Sequence, residues 1–330
     1  MPARGERVSR RDFLRRISAS AAAGAGLAAL PGRSVCLAAV PAGPKSRVVD
    51  VRSEAVLAPD GGIVPDVIEK MLNTGMMALT GKDDIAAAWR EFVSPGDVVG
   101  LKFNGVSRDY CRCNEGVLNT VAKALKQIGV KEGNIIPIED QLKWRQGAFG
   151  KPNMELDRTI DFGAGKTQLK KYLTEQVDVL INVPDLKDHD RAGVTLALKN
   201  VSHGVIGNPG ELHDNNCDPY IGYINALPVI LRKRRLNICN CIRGIAELGP
   251  MTNHPQYHFV PKGFLISTDP VALDAVGRGM IEEARKKLNL PPYGDEARHI
   301  ETAASIGLGV CDPARIDLVK CAVDGKGGGQ

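Results

Sequence analysis

Two hydrophobic periods alternate along this 330-residue chain. Short apolar runs bounded by turn residues predict strands at residues 48–56, 98–103, 134–138, 177–183, 236–241, 263–267 and 316–319. Between them, apolar residues recur at helical spacing. The clearest case is 65–79, where Val67, Ile68, Met71, Leu72 and Met76 share one face. Further helices are predicted at 82–92, 115–128, 166–176, 193–201, 218–232 and 296–306. Asp269-Pro270 supplies an N-cap and a first-turn proline for a helix reaching about residue 288. Residues 141–165 lack a clear period and are expected to be loop-rich. Strands alternating with helices predict an α/β fold, a mostly parallel or mixed sheet with helices on both faces. Neither a repeat nor a low-complexity linker interrupts residues 43–323, which are expected to form one domain, and the Gly-rich tail 324–330 is expected to be disordered.

The first 42 residues read differently. Ser9-Arg10-Arg11-Asp12-Phe13-Leu14 is followed at 17–30 by Ala, Gly, Ser and Leu, a run of 14 residues broken by Pro31-Gly32. A membrane-spanning helix needs roughly 20 apolar residues. The pattern matches a twin-arginine (Tat) export signal, with a cleavage site after Val40-Pro41-Ala42 or after Cys36-Leu37-Ala38. A basic tail leading into an Ala-rich helix, or an uncleaved anchor, are the competing readings. The export reading makes the Tat translocase a partner, places the mature protein in the periplasm or outside the cell, and has it cross the membrane folded. No other segment is apolar enough to be a stable membrane span.

That segment changes the reading of charge. The chain carries 43 Lys and Arg against 38 Asp and Glu, a formal +5. Residues 1–42 hold seven of the arginines and two of the acids, so the remainder has 36 of each sign. No footprint for a nucleic-acid backbone is left. The run Arg232-Lys233-Arg234-Arg235 is expected to be a solvated helix end. Aromatic content of 5% argues against a base-stacking surface.

Candidate chemistry lies after the predicted strands, because open α/β sheets bind ligands beyond their carboxyl ends. After the strand at 177–183 come Lys187 and His189, then Lys199, Asn200 and His203, which suit an anionic ligand or acid–base work but also an ordinary charged loop. His213 and Cys217 follow among Glu211, Asp214 and Asp218, a mixture suited to a transition metal and equally to a structured turn. Cys111-Arg112-Cys113 and Cys239-Asn240-Cys241 are C-x-C pairs; four thiolates on a metal or iron–sulfur cluster, disulfides, and free buried thiols all remain open. Without Cys36, seven cysteines remain, an odd number. There is no G-x-G-x-x-G, P-loop or G-x-S-x-G, which demotes nucleotide-dependent dehydrogenases, ATPases and serine hydrolases.

Taken together, Val98-Val99-Gly100-Leu101-Lys102-Phe103-Asn104, Leu180-Ile181-Asn182-Val183-Pro184-Asp185-Leu186-Lys187, Gly193-Val194-Thr195-Leu196-Ala197-Leu198-Lys199-Asn200 and Ser267-Thr268-Asp269-Pro270-Val271-Ala272-Leu273-Asp274 resemble the bacterial and archaeal family named domain of unknown function 362. The resemblance runs from about residue 48 to 320. It implies no settled activity; some members are joined to ferredoxin-like cluster domains, which implies redox chemistry, and this chain lacks that part. Where the family often has an Asp, Asn240 stands here between two cysteines.

The expected function is therefore an exported metal- or cofactor-dependent enzyme, redox chemistry included, acting on a small anionic substrate. Lys187, Lys199 and His203 are the expected catalytic groups, and His189, Asn200 and Asp269 the cofactor-binding ones. His213, Cys217, Cys239 and Cys241 are the expected metal ligands. The alternative is a non-catalytic periplasmic ligand-binding protein, or an accessory subunit of an exported redox complex, with disulfides in place of metal.

Overall fold

A computed structural model describes residues 45–106, 110–111, 114–139, 149–250 and 253–324. The expected export signal, Cys113 and the tail beyond 324 lie outside the described residues. In chain order the strands are β1 (Ser46–Arg52), β2 (Val99–Lys102), β3 (Ile135–Ile138), β4 (Leu156–Asp161), β5 (Lys166–Lys170), β6 (Val179–Asn182), β7 (Asp185–His189), β8 (Gly193–Thr195), β9 (Arg234–Ile245), β10 (His258–Phe259), β11 (Gly263–Ser267) and β12 (Ile316–Ala322). The helices are α1 (Pro65–Thr80), α2 (Ile85–Arg90), α3 (Asn114–Gln127), α4 (Ala197–Gly204), α5 (Tyr220–Asn225), α6 (Pro228–Lys233), α7 (Pro270–Lys287) and α8 (His299–Ser305).

The main sheet runs β12-β1-β11-β9-β6-β2-β3. Only β11 is antiparallel to its neighbours on that path. One apolar cluster packs α1, α2 and α3 against one face, and a second packs α4, α5, α7 and α8 against the other. Strand β9 shows the period-2 alternation that feeds both: Leu236, Ile238 and Ile242 enter the first cluster, Cys239 and Cys241 the second. From β2 the chain crosses to β3 on one side, and from β6 to β9 on the other. The crossovers therefore diverge between β2 and β6, which opens a crevice at their carboxyl ends.

Several helices form for local reasons. Pro65 starts α1 and Gly81, at φ 70, ends it in the left-handed conformation with its N–H on Met77 O. Other elements correct the sequence reading. Residues 166–170 are strand, not helix, because they pair with β4 as a two-stranded hairpin, and 172–176 form one wide helical turn. The helix expected over 218–232 breaks into α5 and α6, since Leu227 before Pro228 is held extended. The helix expected from residue 193 begins at Ala197, because Gly193–Thr195 pairs with β7. Strand β7, unread in the sequence, pairs with the C-terminal half of β9. In the basic run, Arg234 is buried with Nη1 on Asn225 Oδ1 at 2.5 Å, and Lys233 donates to Leu173 O at 2.7 Å, so this helix end is not simply solvated. No helix among the described residues is long and apolar enough to cross a membrane.

Candidate functional site

The carboxyl ends of β2 and β3 open into a cavity of about 320 Å³. Lys102 and Asn104 reach it from the end of β2, and Glu139 from the end of β3. Strand β7 contributes Lys187 and His189, two apart and so on one face. Its hairpin partner β8 contributes Thr195, directly across from Lys187. Helix α4 presents Lys199, Asn200 and His203, spaced to share one face, and Lys170 and His213 complete the charged and polar wall. Four ammonium groups thus face one carboxylate.

These lysines differ in their partners. Lys102 donates to Glu139 Oε2 at 3.0 Å, and its side chain lies so close to Gly204 that a Cβ there would collide with it. Lys187 is fully buried; its Nζ donates to Asn104 Oδ1 at 2.7 Å, and burial pulls its pKa down to about 8 against the opposing pull of Asp185. Lys199 is 5% exposed, and burial likewise lowers it to about 8. Neither Lys187 nor Lys199 forms an ion pair among the described residues. Buried charges without a counter-ion are costly, and a bound anion would offset that cost.

A chain of asparagines fixes this wall from beneath. Asn104 Nδ2 donates to Asn200 Oδ1 at 3.2 Å, and Asn200 Nδ2 to Asn182 Oδ1 at 2.8 Å. Asn182 Nδ2 donates to Asn237 Oδ1 at 3.0 Å, and Asn237 Nδ2 to Ser267 O at 3.2 Å. All four amides point the same way, so each donor polarises the next acceptor and Asn104 Oδ1 is left to face Lys187. The start of α4 is pinned separately. The buried Asp274 carboxylate on α7 accepts from Ala197 N at 2.7 Å and Leu198 N at 3.0 Å.

The histidines gather at one side of the cavity. The His203 and His213 rings are 4.7 Å apart, and the His189 ring stacks 5.5 Å from that of His213. Ligand atoms of His203, His213 and Cys217 all lie within 4.8 Å of one another. Burial, reinforced by Lys199, lowers His189 to about 2, His203 well below the usual range, and His213 in the same direction. All three are therefore neutral imidazoles near pH 7, the form that ligates metals. His213 Nδ1 is 2.7 Å from Pro209 O; a carbonyl only accepts, so Nδ1 carries the proton and Nε2 keeps its lone pair. That Nε2 faces Lys199 Nζ at 3.2 Å. Burial raises the Cys217 thiol to about 11, and Lys199 opposes this. Asn215, Asn216 and Cys217 have φ of 50°, 56° and 61° in succession. Asn tolerates this region, whereas Cys does not favour it, so the backbone is strained at Cys217.

The cavity brings together six of the residues singled out in the sequence, namely Lys187, His189, Lys199, Asn200, His203 and His213, with Cys217 beside the last two. Three others do not join them. Both carboxylate oxygens of Asp269 are used structurally: Oδ1 accepts from Val271 N and Ala272 N, and Oδ2 from Ser46 Oγ and Val310 N. Cys239 and Cys241 are buried in the second apolar cluster, and Cys241 Sγ donates to Cys239 O at 3.5 Å rather than meeting the histidines. Burial pushes the Cys239 thiol well above its usual value. Cys217, Cys239, Cys241, Cys311 and Cys321 carry free thiols. Lys102, Asn104, Glu139 and Lys170 were not singled out from sequence. Lys102 and Asn104 carry one legible signal, their position at the carboxyl end of a buried strand.

The fold and the cavity define an open α/β protein with a lysine- and histidine-lined cavity at the point where its crossovers diverge. A family model described as domain of unknown function (DUF362) matches residues 153–278, which supports the resemblance over that segment. The match includes the β7–β8 hairpin, α4 and the 208–219 segment, and so most of the histidine side of the cavity. A crystal structure of a Thermotoga maritima protein is similar at 11% identity and a TM-score of 0.39, covering 74% of this chain and 59% of that one. This chain thus spans less than two thirds of that protein's length. No curated protein matches.

Proposed function

We propose that the cavity is the active site of a metal-dependent enzyme acting on a small anionic substrate. The observation that carries this reading is the meeting, at one cavity, of two buried ammonium groups without ion pairs among the described residues and a His203-His213-Cys217 group whose ligand atoms lie within 4.8 Å of one another. Lys187 and Lys199 hold the anion, and His203, His213 and Cys217 hold a transition metal. Such a metal supplies a Lewis acid beside the bound substrate. The protein's own contribution is orientation: the Asn chain and Asp274 set α4 and β7 before any ligand arrives.

Metal analysis of the purified chain tests this directly. About one equivalent of a transition metal is expected, falling to background in His213→Ala while the far-UV circular dichroism is unchanged. A folded wild-type protein that neither contains nor takes up zinc, nickel, copper or iron would sink the metal assignment. A second reading, a binding protein for the same anion, is favoured by the Lys199–His213 contact, which occupies His213 Nε2 without a metal. Anion binding by metal-free protein, with His213→Ala retaining it, supports that reading.

Export through the twin-arginine route belongs to the same proposal and rests on Ser9-Arg10-Arg11-Asp12-Phe13-Leu14. A buried metal site gives the chain a reason to fold before crossing. Replacing Arg10 and Arg11 together by Lys is expected to retain the protein in the cytoplasm, read by cell fractionation; unchanged periplasmic recovery contradicts the export reading.

A further inference from the structure

Thr195 carries a feature that the asparagine chain and the histidine group leave unused. Its residue is 4% exposed, it lines the cavity, and its hydroxyl has no hydrogen-bond partner among the described residues. A buried hydroxyl left unpaired is destabilising, so the group is placed for something the protein binds. Its register partner across the β7–β8 hairpin is Lys187, so the two side chains leave the same face. Lys199 follows four residues later in the first turn of α4 and lines the same cavity.

We propose that Lys187, Thr195 and Lys199 form a subsite for a carboxylate group of the substrate, with the Thr195 hydroxyl as its neutral donor. This rests on the anion-binding reading above and narrows it to a chemical class. Two ammonium groups and one hydroxyl match the two oxygens of a carboxylate. Phosphate is characteristically held by the free N–H groups of a helix N-terminus. Here the first two N–H groups of α4 are already held by Asp274, whose carboxylate occupies the place a phosphate would take.

The test is calorimetric titration of the folded full chain with acetate, succinate, inorganic phosphate and chloride. Both carboxylates are expected to bind and to compete, with phosphate at least tenfold weaker. Thr195→Val, which keeps the side-chain shape, is expected to weaken carboxylate binding about tenfold, and Thr195→Ser to restore it. Metal uptake should be the same in all three proteins, which separates loss of the hydroxyl from loss of the site. Phosphate binding more tightly than the carboxylates, or unchanged acetate and succinate affinity in Thr195→Val, overturns the carboxylate subsite while leaving the anion site standing. Failure of every anion to bind overturns both.

Discussion

Lys187→Met should cost about a hundredfold or more in affinity for small anions, and should at the same time make the unliganded protein more stable. Both effects come from one fact: the Lys187 ammonium is fully buried without an ion pair among the described residues. Removing one partner of a buried charge interaction typically costs about 2–5 kcal/mol of binding. Stability moves the other way. Burial depresses the folded-state pKa from 10.5 to about 8. Between those values the unfolded chain holds the proton and the folded chain does not, so stability rises as pH climbs through this window. Below about pH 8 the penalty is present in full. Methionine keeps the length, removes the charge and leaves Asn104 Oδ1 without this donor; the net gain expected at pH 7 is about 1–2 kcal/mol. Urea denaturation at pH 7 and at pH 9.5 reads this, with the two proteins converging at the higher pH. For the wild type, anion affinity should fall as pH passes 8, because the neutral amine no longer attracts the anion. A Lys187→Met protein that binds anions normally removes this residue from the site.

The second large effect is expected from a residue that does not line the cavity. Asp274→Ala leaves Ala197 N and Leu198 N without their acceptor inside the second apolar cluster. Each unsatisfied buried group costs about 1–3 kcal/mol, so for the two N–H groups a loss of about 2–6 kcal/mol is expected. Helix α4 then loses its fixed start, and Lys199, Asn200 and His203 move with it. The pH dependence has a defined sign. Burial raises the Asp274 carboxyl to about 7, with the two backbone N–H groups pulling it down. Between about pH 4 and 7 the folded state holds the proton more tightly than the unfolded one, so this group lowers stability as pH rises. Asp274→Asn should keep part of the cap and flatten that slope. Denaturation midpoints at pH 5, 6 and 7 provide the measurement; a variant matching the wild type at all three would show that α4 is positioned by packing alone.

The contrast between Asp269 and Asp274 shows what sequence can reach. Asp269-Pro270 reads as a helix start because the cap is a contact between residues two and three apart. The same aspartate also invites a ligand role, and nothing in the local pattern reveals that Ser46 and Val310 have already taken its other oxygen. Asp274 caps a different helix, 76 and 77 residues away, and no local pattern announces it. The 166–176 stretch fails in a related way. Its residues are compatible with a helix, but pairing with β4 decides the outcome. Strand β7 is all buried yet carries Asp, Lys, Asp and His, so it has no hydrophobic period; its pairing with β9 and β8 makes it a strand.

What the sequence by itself determined is the alternation of strand and helix, the starts of α1 and α7, and the stretch holding most of the charged residues that line the cavity. Each of these follows from contacts within a few residues, or from a period that burial on one face imposes. The tertiary structure alone decided which polar groups meet. It sent Cys239 and Cys241 into the core on the alternation of β9, and it brought Lys102 and Asn104 from β2 to face Lys187. It also set His203 and His213 beside Cys217 through a left-handed turn. Those encounters join residues far apart in the chain, 96 positions in the Asn104–Asn200 hydrogen bond, and depend on strand order and crossover direction, which no local pattern encodes.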